Sequence, residues 1–275
     1  MTFKDKLKAI VKKNNSLVCV GLDSQLDKIP AHIRKLKNPI FDFNKAIIDA
    51  TYNLVCTYKP NAAFYEAEGL HGIEQLKMTC DYLHEKYPTI PIIFDAKRAD
   101  IGNTNKGYAR FAFDYLGADA ITLQPYFGIE TLKSFLDRTD KSTFILVRTS
   151  NPGAGELQDL IVEGKPLYQV VAEHVAQKWN YNGNCFTVVG APYPHELDIV
   201  RHIIGDGFPI LIPGIGIQGG NVEITVKAGV DKDGQNAIIN SSRGIIFASS
   251  GEDFAQRARE EAEKLRTEIN KYRTK

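Results

Sequence analysis

The chain has 275 residues, 43% of them hydrophobic, which suits one large domain or two small ones. Its 34 basic and 33 acidic residues leave a net charge of +1, which gives no reason to expect a nucleic-acid or anionic-membrane surface. No apolar run approaches the roughly 20 residues that span a bilayer, and Cys19, Cys56, Cys80 and Cys185 are scattered without metal-site spacing, as expected of reduced thiols in a cytoplasmic protein.

The opening stretch, MTFKDKLKAIVKKNN, mixes acids with lysines and lacks the apolar centre of a signal peptide. Residues 3–12 have helical spacing, with Phe3, Leu7, Ile10 and Val11 on one face. Residues 16–23 read as a short apolar strand ending in Asp23. A polar segment with Pro30 and Pro39 leads to a helix over 41–55, where Phe43, Ile47, Ala50 and Leu54 keep helical intervals. The extended piece 57–61 presents Lys59, and Pro60 marks a strand terminus. A helix over 69–87 places Leu70, Ile73, Leu76, Tyr82 and Leu83 on its apolar side.

Residues 90–104, IPIIFDAKRADIGNT, organise the rest. The run 91–94 reads as a strand buried on both faces. Alternation puts Ile93, Asp95 and Lys97 on one side and Ile92, Phe94 and Ala96 on the other. An acid and an ammonium thus emerge together at the strand's end. Asp100 follows where the chain should turn.

Helical spacing resumes over 104–116. Strands over 119–123 and 143–147 flank a helix that ends near Leu136. The second of these runs into Arg148-Thr149-Ser150-Asn151-Pro152-Gly153. The connection 154–164 carries Leu157, Leu160, Ile161 and Val162, which suits either a lid over a ligand or a docked loop. Next come a helix over 166–179, a strand over 185–189, a helix over 195–204 and a strand over 209–212. Gly214, Gly216, Gly219 and Gly220 follow, then a helix over 221–228. A strand over 237–240 ends in Ser241-Ser242-Arg243-Gly244, and an amphipathic helix covers 253–272.

Eight short strands, each followed by a helical pattern, predict parallel strands joined by right-handed crossovers. The expected architecture is a (β/α)8 TIM barrel, one domain over 1–275 with a short N-terminal helix. A doubly wound open sheet is the alternative. In a barrel the site lies at the C-terminal strand ends. In order, these ends supply Asp23, Lys59, Asp95 and Lys97 with Asp100 just beyond, Ser150, Gln218 among its glycines, and Arg243.

The glycines let backbone approach a ligand closely, helix-start amides favour an anion, and Arg243 can fork onto a phosphate. The competing reading is tight turns and a surface cation. In Asp95-x-Lys97-x-x-Asp100, an ammonium flanked by carboxylates favours its charged form. Such a group is a poor nucleophile but a good proton donor to a carbanion. The competing reading is a structural ion-pair network. The six histidines fall mainly in helix patterns without metal-ligand spacing.

Residues 94–104, FDAKRADIGNT, resemble the signature of the orotidine 5′-phosphate decarboxylases, in their type 2 branch. The resemblance extends through Gly21-Leu22-Asp23, Lys59-Pro60-Asn61, Arg148 to Gly153, Pro213-Gly214-Ile215-Gly216, Gln218-Gly219-Gly220 and Ser242-Arg243-Gly244. Ala99 stands where glycine is expected in many relatives, and Ser24 where proline is common. The resemblance implies conversion of orotidine 5′-monophosphate to UMP and CO2 in pyrimidine biosynthesis, without metal or organic cofactor, in a homodimer. Lys97 would protonate C6, Asp95 would face the departing carboxylate, and Lys59 and Asp23 would contact the ribose hydroxyls. Asp100 would come from the partner subunit, with Thr104 close to the ribose. Ser150 would read the pyrimidine edge, Gln218 would bridge base and phosphate beside Gly219, and Arg243 would hold the phosphate. A metal-dependent sugar-phosphate decarboxylase and a non-catalytic nucleotide-phosphate-binding barrel remain the alternatives at this point.

Overall fold

The computed structural model describes residues 1–216 and 220–273. Eight parallel strands carry the fold: β1 (Val18–Leu22), β2 (Thr57–Pro60), β3 (Ile93–Arg98), β4 (Ala120–Leu123), β5 (Ser142–Arg148), β6 (Cys185–Val189), β7 (Ile210–Pro213) and β8 (Ala237–Ser241). β1 pairs with β2 on one side and β8 on the other, and the ladder continues from β8 through β7, β6, β5 and β4 to β3. Parallel bridges Tyr58↔Ile92 and Asn61↔Asp95 join β2 to β3. The sheet therefore closes on itself, and the doubly wound alternative, which keeps two open edges, is excluded.

The helices are α1 (Phe3–Asn14), α2 (Pro39–Thr51), α3 (Gly69–Lys86), α4 (Gly102–Ala109), α5 (Ile129–Leu136), α6 (Leu167–His174), α7 (Pro194–Ile204), α8 (Val222–Gly229) and α9 (Phe254–Tyr272), with short turns between. Among the described residues no helix is long and apolar enough to cross a membrane. Helix α2 starts at Pro39, earlier than apolar spacing predicts, because a proline at the first helical position loses no needed donor. It ends at Thr51, and the following turn carries Leu54 and Val55 into the core. Leu70, expected on the apolar side of α3, is 77% exposed. Gly72 takes the inward position there: a Cβ on it would lie 2.0 Å from the Tyr65 carbonyl oxygen. Both α4 and α6 continue as π-helical turns, over Arg110–Tyr115 and Val175–Trp179.

Helix α1 covers the N-terminal end of the barrel. Its first turn is a capping box, with the Thr2 hydroxyl accepting from Asp5 N (3.2 Å) and the Asp5 carboxylate accepting from Thr2 N (3.2 Å). Phe3 is fully buried, edge-on to Phe144 at 5.5 Å and 6.2 Å from Phe186. Lys6 donates to Asp119 at 2.6 Å, and Asp119 in turn accepts from Ile92 N at 2.9 Å. The opposite end is left for loops. Phe3→Ala is expected to cost about 3–5 kcal/mol of stability, read as a lower urea midpoint at unchanged slope; a midpoint within error of the parent would show that α1 is not part of the cooperative fold.

Candidate active site

Strands β1, β2 and β3 are neighbours in the closed barrel, so the polar residues at their ends meet. Asp23 follows β1, Lys59 lies in β2, and Asp95 and Lys97 lie in β3. Lys59 Nζ stands 3.6 Å from Asp23 Oδ1 and 2.9 Å from Asp95 Oδ2. Lys97 Nζ stands 2.7 Å from Asp95 Oδ1. The order is acid, ammonium, acid, ammonium. Lys59 and Asp95 are buried, at 2% and 8% exposure. Asp23 is held from behind: Tyr65 OH donates to the Leu22 carbonyl (2.9 Å), and Ser24 Oγ donates to Asn44 Oδ1 (2.5 Å).

Burial alone would push the Asp95 carboxyl up, but the Lys59 and Lys97 ammonium groups outweigh it and hold that carboxyl well below the usual carboxylate range. Burial would likewise push Lys59 down. Asp23 and Asp95 outweigh it and hold the ammonium above the usual lysine range. Asp95 accepts two further bonds that charge patterning alone does not reveal. Thr122 Oγ1 donates to Oδ1 at 2.8 Å and Asn61 Nδ2 donates to Oδ2 at 3.3 Å. With the two ammonium groups, these fill the acceptor sites of the carboxylate.

The strict alternation expected along β3 does not hold past Asp95. Phe94 pairs with Ile121 and Arg98 with Leu123, so residues 95–97 bulge opposite Thr122 alone. Lys97 takes φ +47 and Ala99 φ +135, both in the left-handed half of backbone space. Asp95 and Lys97 still meet, through the bulge rather than through a regular pleat.

These groups form one wall of a cleft of about 200 Å³. Leu146, Val188 and Leu211 give it an apolar side, and Ser150, Asn240, Ser242 and Arg243 line its remaining polar part. No histidine lines the cleft among the described residues. Ser150 fits only because residue 190 is glycine: a Cβ there would lie 2.9 Å from Ser150 Cα and Cβ. Gly214, at the end of β7, holds φ +106. Arg243 is exposed at the rim and makes no ion pair among the described residues.

Asp100 and Thr104 do not line this chain's cleft. Asp100 Oδ1 accepts from Ile101 N at 2.7 Å, and Thr104 is exposed on α4. Gln218 and Gly219 lie outside the described residues. The connection after β5 is a one-turn helix (Gly155–Gln158) and a small hairpin, Ile161–Val162 with Lys165–Pro166. Leu157, Leu160, Ile161 and Val162 are 58%, 52%, 68% and 37% exposed, so these side chains are not docked on the core. Arg148 ties the segment to β5. It donates to Gln158 (3.3 Å) and Asp159 (3.2 Å), and its guanidinium lies 4.0 Å from the centre of the Tyr193 ring.

Residues 16–258 match the Orotidine 5′-phosphate decarboxylase / HUMPS family. The chain belongs to this family. An orotidine 5′-phosphate decarboxylase of Janthinobacterium sp. (strain Marseille) is 50% identical over 246 residues, covering 90% of each sequence. The structure of Leishmania donovani OMP decarboxylase superposes with a TM-score of 0.85 at 36% identity over 99% of both chains. Leishmania donovani UMP synthase gives a TM-score of 0.88 at 38% identity, and there the chain spans 57% of that longer protein.

The lowered Asp95 pKa carries a sign. Its contribution to stability is present above the ordinary carboxylate pKa, near 4, and is lost as pH falls toward the folded-state value. Asp95→Asn is expected to destabilise by about 3–5 kcal/mol at pH 7, because it removes a partner from a buried ammonium. The gap between parent and variant should hold down to about pH 5 and narrow progressively in denaturant titrations at lower pH. A gap that is constant or widens would contradict the charge assignment.

Proposed function

We propose that the chain converts orotidine 5′-monophosphate to UMP and CO2, the step that supplies UMP in de novo pyrimidine biosynthesis. The observation that carries this reading is the alternating array Asp23–Lys59–Asp95–Lys97 set in the wall of a cleft with Arg243 at its rim. The reaction breaks the bond between C6 and the carboxylate. CO2 leaves, and the electron pair stays on C6 as a vinyl-type carbanion with no adjacent electron sink. A fixed ammonium is the most useful stabiliser of such a charge. Lys97 delivers its proton to C6 and recovers one from solvent. Asp95 faces the departing carboxylate, and Lys59 and Asp23 hold the ribose hydroxyls. Ser150 reads the pyrimidine edge. Arg243 grips the phosphate, with Gln218 bridging base and phosphate beside Gly219.

The barrier reduction needed is on the order of 20 kcal/mol, near the upper end of the enzymatic range. One general acid falls short of that, so dense preorganised charge is required. Remote phosphate binding supplies energy that is realised at the reacting centre. We assign no metal or organic cofactor: the Lys59 ammonium already lies between the two carboxylates that a divalent ion would bridge. The four buried free thiols support a reducing, cytoplasmic location.

The absorbance change of orotidine 5′-monophosphate is the direct assay. The parent should turn over equally with and without EDTA, and Lys97→Ala should lose turnover while keeping its fold. Near-normal turnover by that variant would remove Lys97 from the mechanism, and loss of parent activity in EDTA would favour a metal-dependent decarboxylase.

We also propose a homodimer in which Asp100 and Thr104 serve the cleft of the other subunit. Asp100 does not line its own cleft; Ile101 (62%) is exposed next to it in the chain, and Tyr126 (81%) and Phe127 (49%) are exposed on the loop after β4. Gln124 holds the loops after β3 and β4 together, donating to the carbonyls of Arg98 (2.9 Å) and Ala99 (3.0 Å). An apolar patch next to an unused acid suits a second copy of this chain. Mixing Asp100→Ala with Lys97→Ala subunits should restore part of the activity, since some mixed dimers hold one intact site. Verified mixed dimers without recovery would refute the shared site.

A further inference from the structure

We infer that Thr122 is a positioning residue whose hydroxyl sets the aim of the Lys97 ammonium. This rests on the decarboxylase reading above and extends it to a residue on the neighbouring strand. The bulge in β3 leaves residues 95–97 facing a single residue of β4. A regular parallel ladder would satisfy the Lys97 N–H with a carbonyl of the next strand. Here the Thr122 side chain takes that role: Lys97 N donates to Thr122 Oγ1 at 3.0 Å. The same oxygen donates its one proton to Asp95 Oδ1 at 2.8 Å. Asp95 Oδ1 also accepts from Lys97 Nζ at 2.7 Å.

Thr122, Asp95 and Lys97 thus form a closed ring of three hydrogen bonds. Lys97 is held at both ends, by its amide and by its ammonium. This matters because Lys97 sits at φ +47, a conformation that L-residues hold only when the surroundings over-determine it. The hydroxyl has one proton and is 1% exposed at the residue level, so water does not offer an easy substitute. Without it, the Lys97 amide is left unpaired, the backbone is free to leave the left-handed region, and one of the donors that orient Asp95 is lost.

Thr122→Val keeps the shape and removes the hydroxyl, Thr122→Ala removes both, and Thr122→Ser keeps only the hydroxyl. Turnover of orotidine 5′-monophosphate and calorimetric affinity for UMP are measured on each, after thermal melts show that it is folded at the assay temperature. A lost hydrogen bond to a charged group corresponds to a kcat lower by roughly ten- to a hundredfold in the Val and Ala variants. UMP has no carboxylate to displace, so its affinity should stay within about threefold of the parent, and Thr122→Ser should recover most of the lost kcat. If Thr122→Val fails to fold, the Ala and Ser pair decides. The inference is overturned if both hydroxyl-free variants keep kcat within about threefold of the parent, or if Ser falls as far as Ala. A parent that does not turn over the substrate at all overturns the decarboxylase reading itself, whereas an active parent with indifferent variants overturns only the role of Thr122.

Discussion

One buried carboxylate constrains the mouth of the barrel. Asp95 is ionised in a site from which water is largely excluded, and an uncompensated charge there would be costly. It is compensated by four donors from three strands and the loop at the end of one: Lys59, Asn61, Thr122 and Lys97. Each donor needs its strand to end at a set height. The bridge Asn61↔Asp95 is also one of the two that close the barrel between β2 and β3. Closure of the fold and assembly of the charge array are therefore the same local event.

The barrel explains why this arrangement can be rigid. Strands β1 to β3 stand side by side and are anchored below by an apolar core, so their ends move little relative to one another. The ammonium groups are then fixed dipole and charge sources, which need no reorganisation when charge develops on a substrate. The irregular elements lie where chemistry needs them. Lys97 and Ala99 have unfavourable backbone angles within a few residues of the proposed reacting centre, at a cost of about 1–3 kcal/mol each. Ala99 is held there by its carbonyl bond from Gln124.

The eight strands, the barrel and the charged strand ends were legible in the sequence because each rests on short apolar runs alternating with helical spacing, or on residue type. The bulge at 95–97 was not, since an extra pair of residues leaves no mark on a run that is apolar and then charged. Thr122 was hidden for a related reason: a threonine within Ala-Ile-Thr-Leu reads as an ordinary β-branched strand residue. Leu70 misled because helical spacing marks an apolar stripe, whereas the packing of α3 is set by the close approach of Gly72 to Tyr65. The departure at Ala99 was informative without its meaning being visible. Glycine is expected there in many relatives, and the observed φ of +135 supplies the physical reason.

The cleft divides its labour between two kinds of structure. The charged wall is built from strand ends, with Lys59 and Asp95 buried at its base and Lys97 reaching toward solvent. The rest of the cleft's rim is built from loops: the turn carrying Ser150, Gly214 after β7, and Arg243. A ligand phosphate at Arg243 would engage the rim without touching Asp95 or Lys97. Binding energy collected there can hold the reacting atoms against the charged wall, so attraction and destabilisation act on different parts of one ligand. In the proposed reaction, that separation would let a carboxylate substrate approach Asp95. Two like charges would repel at the wall, and only a grip at a distance, with the two ammonium groups beside them, can hold the pair together until CO2 departs.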